Sequence, residues 1–319
     1  MSLDSSLPPH LAYFVAGSIA VSYVAILYLL PAARSKPWEK DPLTGQPRDR
    51  QHPAVIRARL FAVTFVTFFS VFLIGTLIQI YGGNTLSDNP IRATLELTGF
   101  LPTDSILAYL RLQIQPLVLT AILFLGPLYT QLLLQSSNHV EAFSFRDLFD
   151  LQHIRNLIIG PITEEIVFRG CIIATYLLID PQLRPSATQI TFLSPLWFGA
   201  AHVHSIRETY VSNDRTRQAL LRGSMISLFQ FAYTTVFGWY ASFIYLRTGS
   251  VVAASLCHSF CNFMGFPPLF DSLKEFPHRR TSIVISYLLG ISLFTISVRA
   301  WITNRDSFPD AKLTWWDLK

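Results

Sequence analysis

Eight apolar stretches run through this chain of 319 residues, at 12–32, 60–81, 116–135, 155–179, 187–205, 224–246, 250–268 and 281–301. Most are near the ~20 residues that cross a ~30 Å hydrocarbon core. A segment in lipid must satisfy its own backbone hydrogen bonds, and runs of this length do so as helices. The expected fold is therefore all-α: a polytopic membrane helical bundle with about eight transmembrane helices, residues 1–319 forming one integral-membrane domain. With 51% apolar and only 14% charged residues, the chain departs from the composition of soluble globules. The fifth stretch, 187–205, is short and carries Pro195, His202 and His204; seven spans with one re-entrant segment is the alternative.

The net charge of +5 is read as a topology signal. With eight spans, the loops after the first, third, fifth and seventh share one side. They hold most of the Lys and Arg, including Arg34, Arg50, Arg59, Arg146, Arg155, Arg207 and Arg279. The positive-inside rule makes that side cytosolic and puts both termini on the other. No basic-aromatic pattern points to nucleic acid. The first apolar run has no basic leader and exceeds a signal-peptide core, so it is expected to stay as an anchor in the lipid bilayer. Cys171, Cys257 and Cys261 all fall inside expected spans, which argues against a disulfide framework.

Within the fourth stretch, Leu157 to Arg169, stand three ionisable groups: Glu164, Glu165 and Arg169. Each charge at the centre of a spanning helix costs roughly 2.5–3.5 kcal/mol, so such a cluster persists only where its members pair, line a wet cavity or do chemistry. Pro161 either opens this helix or kinks one already running from about Ile154. Glu165 and Arg169 are four apart and share a face, whereas Glu164 projects about 100° away. The pair leaves Glu164 free to face a reaction centre. The fifth stretch adds Phe198-Gly-Ala-Ala-His202, whose small residues allow close helix approach beside a histidine. The seventh adds His258 and Asn262, again four apart on one face.

Counted from the expected cytosolic helix ends at ~1.5 Å per residue, Glu164 lies ~13 Å deep, with His202 and His258 in the cytosolic halves of their helices. A carboxylate beside an imidazole can take a proton from water and hand it to a leaving amine. An imidazole with a carboxamide can hold a tetrahedral oxyanion. Other chemistries fit some of these residues. Glu164, His202 and His258 could form a three-ligand zinc site, but His-Glu-x-x-His is missing and Arg169 would sit awkwardly beside a metal. Cys257 and Cys261 raise a thiol mechanism, yet they lie off the His258–Asn262 face. A transporter or lipid-protein binding site is a further alternative, without the repeat symmetry transporters usually show. His204 is expected to be a structural histidine.

The order Glu-Glu-x-x-x-Arg, Phe-x-x-x-His, His-x-x-x-Asn resembles the CAAX-protease and bacteriocin-processing family of intramembrane proteases. The words around the glutamates and Phe198-Gly-Ala-Ala-His-Val-His204 look like its eukaryotic Ras-converting branch. The resemblance covers roughly 155–265, the expected catalytic core. It implies an endopeptidase of the endoplasmic reticulum membrane, its site facing the cytosol, that removes the last three residues after an isoprenylated cysteine. The implied partners are isoprenylated CAAX proteins such as Ras-like small GTPases, and no cofactor or metal is implied. Glu164 and His202 would activate water, His258 and Asn262 would hold the oxyanion, and Glu165 and Arg169 would support them.

Overall fold

Prolines and short polar side chains set where the helices of this computed structural model begin; it describes residues 6–82, 89–136, 149–213, 215–304, 307–309 and 311. Arg146, counted above toward the basic side, lies outside the described residues. Helix α1 (Pro9–Leu29) and helix α2 (Pro53–Tyr81) both start with proline, whose missing amide costs nothing in the first turn. The ring of His52 additionally caps α2 by accepting from the Ala54 amide. Between them, Lys36–Lys40 (β1) and Pro47–Arg48 (β2) pair antiparallel, Lys36 opposite Arg48. The segment 34–58, expected as plain loop, thus contains a small hairpin, turned by Gly45 at φ +68° and by Asp41, which accepts from the Leu43 and Thr44 amides.

Further along come α3 (Pro90–Leu97), α4 (Ile106–Leu123) and α5 (Leu125–Ser136), the last two separated only at Phe124. Helix α6 runs continuously over 151–177. It passes through two wide π-helical turns, Ile154–Ile159 and Ile166–Cys171, that bracket Gly160–Glu165. Pro161 therefore does not open a helix; of the two expected cases, the helix already under way is the one found. The ring of a mid-helix proline collides with the turn before it, and the wide turn ending at Gly160 makes room. There the Gly160 amide bonds the Arg155 carbonyl, five residues back. A Cβ on Gly160 would lie 2.5 Å from that same carbonyl oxygen, so the turn requires glycine.

The fifth apolar stretch is not one rod. It forms α7 (Ala187–Leu193) and α8 (Pro195–Ala201), then a tight turn, His202–His204, leading into α9 (Ser205–Ser212). Ser186 and Gln189 build a reciprocal capping box at its start, and Pro195 opens the second piece. Helix α10 (Arg217–Thr248) is capped by Thr216 and stopped by Gly249 at φ +64°. Ser250 then caps α11 (Val251–Met264). Short α12 (Leu269–Glu275) and long α13 (Arg280–Thr303) complete the bundle.

Each of the eight apolar stretches is helical over most of its length, with breaks at Phe124 in the third and Ser194 in the fifth and an end at Met264 in the seventh. Among the described residues, four helices are by themselves long and apolar enough to cross a bilayer: Pro9–Leu29, Pro53–Tyr81, Ile106–Leu123 and Pro277–Thr303. The buried core centres on the second half of α6, where Val167, Cys171, Ile172, Ile173 and Ala174 are wholly enclosed by side chains of α1, α2, α8 and α10.

Candidate active site

Glu164 and Glu165 are neighbours in the chain but lie on opposite sides of a wall. Glu165 has no exposed side-chain surface, while the Glu164 side chain keeps 24%. The hundred-degree step between consecutive helical residues accounts for the split. Glu165 accepts from Arg169 Nη1 at 3.0 Å, one turn on, as the four-residue spacing predicts. The Arg169 guanidinium lies over the Phe198 ring, 4.6 Å from its centroid, so the charge rests on an aromatic face inside the protein.

Helix α11 brings His258 to the same carboxylate. Its Nδ1 is 2.8 Å from Glu165 Oε1, and its Nε2 lies 3.7 Å from Glu164 Oε2. A carboxylate only accepts, so Nδ1 carries the proton of that bond. His258 therefore bridges the two glutamates and is itself buried. Asn262, one turn further, donates from Nδ2 to the Asn156 carbonyl on α6 at 2.9 Å. That leaves one of its amide hydrogens and its side-chain oxygen uncommitted.

His202 ends α8. Its Nδ1 bonds the Phe198 carbonyl at 2.8 Å, four residues back. A carbonyl cannot donate, so the proton sits on Nδ1 and Nε2 of the neutral ring is an acceptor. The small residues before it do what close approach requires: a Cβ on Gly199 would come within 2.4 Å of Thr235 Oγ1 on α10. Phe198 is a hub, edge-on to His202, His258 and Phe168 at 4.8, 6.0 and 5.1 Å between ring centroids.

These elements surround a cavity of about 310 Å³ lined by Glu164, His202 and Asn262 among others. Glu165, Arg169 and His258 do not line it and stand behind Glu164. Cys257 and Cys261 are buried and likewise absent from the lining. Among the described residues no three His, Cys, Asp or Glu side chains converge as a metal site would need. Of the cavity's remaining polar groups, Tyr23, Arg50, Arg59, Arg155, Asn156 and His204 carry no site role in the sequence analysis. Tyr23 of α1 hydrogen-bonds Thr163 Oγ1 at 2.9 Å, beside Glu164. Arg59 of α2 pairs with Glu208 of α9. Its partner is remote in sequence, and the arginines read equally well as positive-inside charges. His204, whose Nδ1 bonds the Ala201 carbonyl at 2.6 Å, faces the cavity as well as holding the turn.

A bundle of apolar helices enclosing one cavity with a carboxylate, an imidazole acceptor and a carboxamide is the architecture of a membrane-embedded hydrolase. Comparison with known proteins narrows the class. The family model for type II CAAX prenyl endopeptidases, Rce1-like, matches residues 148–264. The chain is 35% identical to human CAAX prenyl protease 2 over 298 residues, covering 88% of this chain and 77% of the human one. It is 30% identical to the probable CAAX prenyl protease 2 of Schizosaccharomyces pombe, covering 88% and 90% of the two chains. To CAAX prenyl protease 2 of Saccharomyces cerevisiae it is 28% identical, over 78% and 79%. No solved structure matches the chain. The chain belongs to the type II CAAX prenyl endopeptidase family and is a membrane peptidase.

Proposed function

We propose that the protein removes the C-terminal tripeptide from isoprenylated CAAX proteins, Ras-like small GTPases among them, with Glu164 and His202 activating the attacking water. The observation that carries this reading is the single cavity shared by Glu164, His202 and Asn262, drawn from three helices. Water placed between Glu164 and the His202 Nε2 acceptor loses a proton as its oxygen attacks the scissile carbonyl carbon. The oxyanion that forms accepts from the uncommitted Asn262 amide hydrogen, and from His258 Nε2 only once the Glu164 carboxylate, 3.7 Å from that nitrogen, moves aside, since His258 stands behind Glu164 and outside the lining. With Nδ1 given to Glu165, Nε2 donates only when the ring carries both protons. Collapse of the intermediate breaks the C–N bond, and the proton held by the Glu164–His202 pair passes to the departing amine. Glu165 and Arg169 orient His258 from behind, and the catalytic core spans about 155–265.

About eight crossings with the cavity mouth toward the cytosol, in the endoplasmic reticulum membrane, agree with the basic residues Arg50, Arg59 and Arg155 around that mouth. The lipid then stays in the bilayer while the peptide reaches the site from water. A fifteen-carbon isoprenoid contributes roughly 0.8 kcal/mol per buried carbon unit, about 5–10 kcal/mol after losses, toward holding the scissile bond in place.

The test uses the purified protein in detergent with matched farnesylated and bare peptides ending in a CAAX sequence. Release of an intact tripeptide from the farnesylated peptide, with little turnover of the bare one and undiminished activity in chelator, is the expected result. Equal kcat/KM for the two peptides would leave a general membrane endopeptidase, and loss of activity in chelator would revive the zinc mechanism.

A further inference from the structure

Three guanidinium groups stand in the wall of the cavity that holds Glu164: Arg50, Arg59 and Arg155. Two of them are occupied. Arg59 donates through Nε to the Ala33 carbonyl at 2.9 Å and pairs with Glu208. Arg155 donates to Asn156 Oδ1, to the Arg50 carbonyl and to Gln51 Oε1, at 2.9, 3.1 and 3.1 Å. Arg50 is different. It is exposed, its backbone is held by Arg155, and its guanidinium makes no hydrogen bond or ion pair with any described residue. Glu164 is the only carboxylate in the lining, and with Arg59 already neutralised by Glu208 the wall keeps two positive charges, Arg50 and Arg155, against that one negative charge. A cavity built this way awaits an anion.

We infer that Arg50 binds the C-terminal carboxylate of the substrate, with Arg155 supplying the surrounding positive potential. The inference rests on the proposed release of a C-terminal tripeptide, and it names what measures the three residues. Arg155, which holds the Arg50 backbone, is nine residues before Glu164 on α6, at most about 13 Å along the axis because the π turn between them rises less per residue. Three extended residues span about 10 Å, and a long arginine side chain closes the remainder. The substrate is thus gripped at both ends: its lipid in the bilayer, its carboxylate at the mouth, and the scissile bond between them beside Glu164. A planar guanidinium suits this task because it meets a carboxylate through two parallel hydrogen bonds.

Two farnesylated peptides of identical sequence, one ending in a free carboxylate and one in a carboxamide, test the inference through kcat/KM of the purified full-length protein. Amidation should cost the wild-type protein about 10- to 100-fold, the range for losing a charge-assisted hydrogen bond. Arg50→Gln should show a similar loss on the carboxylate peptide and almost no further loss on amidation, the non-additivity expected of groups in contact. Arg50→Lys, which keeps the charge and loses the fork, should retain an intermediate amide penalty and so report on a folded protein. Arg279→Gln, at an exposed arginine outside the cavity, should leave both the rate and the penalty as they are. An amide penalty of equal size in wild type and Arg50→Gln overturns the assignment, as does no penalty in wild type. If the wild-type protein cleaves neither farnesylated peptide, the tripeptide-releasing function itself fails, and the carboxylate subsite with it.

Discussion

Helices α6 and α13 are of similar length and both are largely apolar, yet they occupy opposite extremes of the bundle. Along α6 every residue from Glu165 to Leu177 is buried, and on α13 only Ile283 and Gly290 are. The outer helix belongs to the four that qualify as membrane-crossing by length and apolarity, whereas the inner one, with its two glutamates and arginine, does not. None of the helices bearing Glu164, His202 or His258 qualifies. Hydropathy in such a protein marks what faces lipid. The residues proposed to react sit on helices that neighbouring protein shields, and these can hold charge, proline and glycine because their neighbours satisfy what lipid could not.

That contrast can be broken most directly at its centre. Glu164→Ala should lower the cleavage rate about 10²- to 10⁴-fold while the purified protein keeps its thermal unfolding profile, since the removed group faces a cavity and its one close charged neighbour, His258 at 3.7 Å, is still held by Glu165. A matching fall in stability would show that Glu164 is a structural charge like its neighbour. The next largest effect is expected at Arg169→Ala, which strands the fully buried Glu165 beside His258. Losing one member of a buried ion pair costs about 3–5 kcal/mol, so folded protein recovered from membranes should drop as well as activity. Normal yield of an inactive protein would move Arg169 from support to chemistry. The smallest effect belongs to the outer helix. Leu288→Ala, at a side chain 59% exposed, should change stability by less than about 0.5 kcal/mol and leave turnover untouched, measured by the same unfolding and peptide assays.

Much of the site could be read from residue spacing. Intervals of four join Glu165 to Arg169 and put His258 and Asn262 on one face of α11, and the structure contains both arrangements. Gly199 likewise marks a close helix contact. What spacing could not reach is of two kinds. The wide turns of α6 depend on backbone hydrogen bonds skipping one residue, and only the pair Gly160-Pro161 hints at them. The outer wall of the cavity comes from Tyr23, Arg50 and Arg59, more than a hundred residues from Glu164 in sequence, and from Arg155, whose charge counted only toward topology. Pro195 and His202 marked the fifth apolar stretch as the irregular one, but where it divides, at Ser194 and again at His202, is set together with its packing against α10, which spacing does not show.

The two walls of the cavity have different origins in the chain. The residues proposed to react lie between 164 and 262, inside the segment that matches the family model, while Tyr23, Arg50 and Arg59 lie well before its first matched residue, 148. Excised on its own, that matched segment would be half a mould, open where the bound peptide needs a floor.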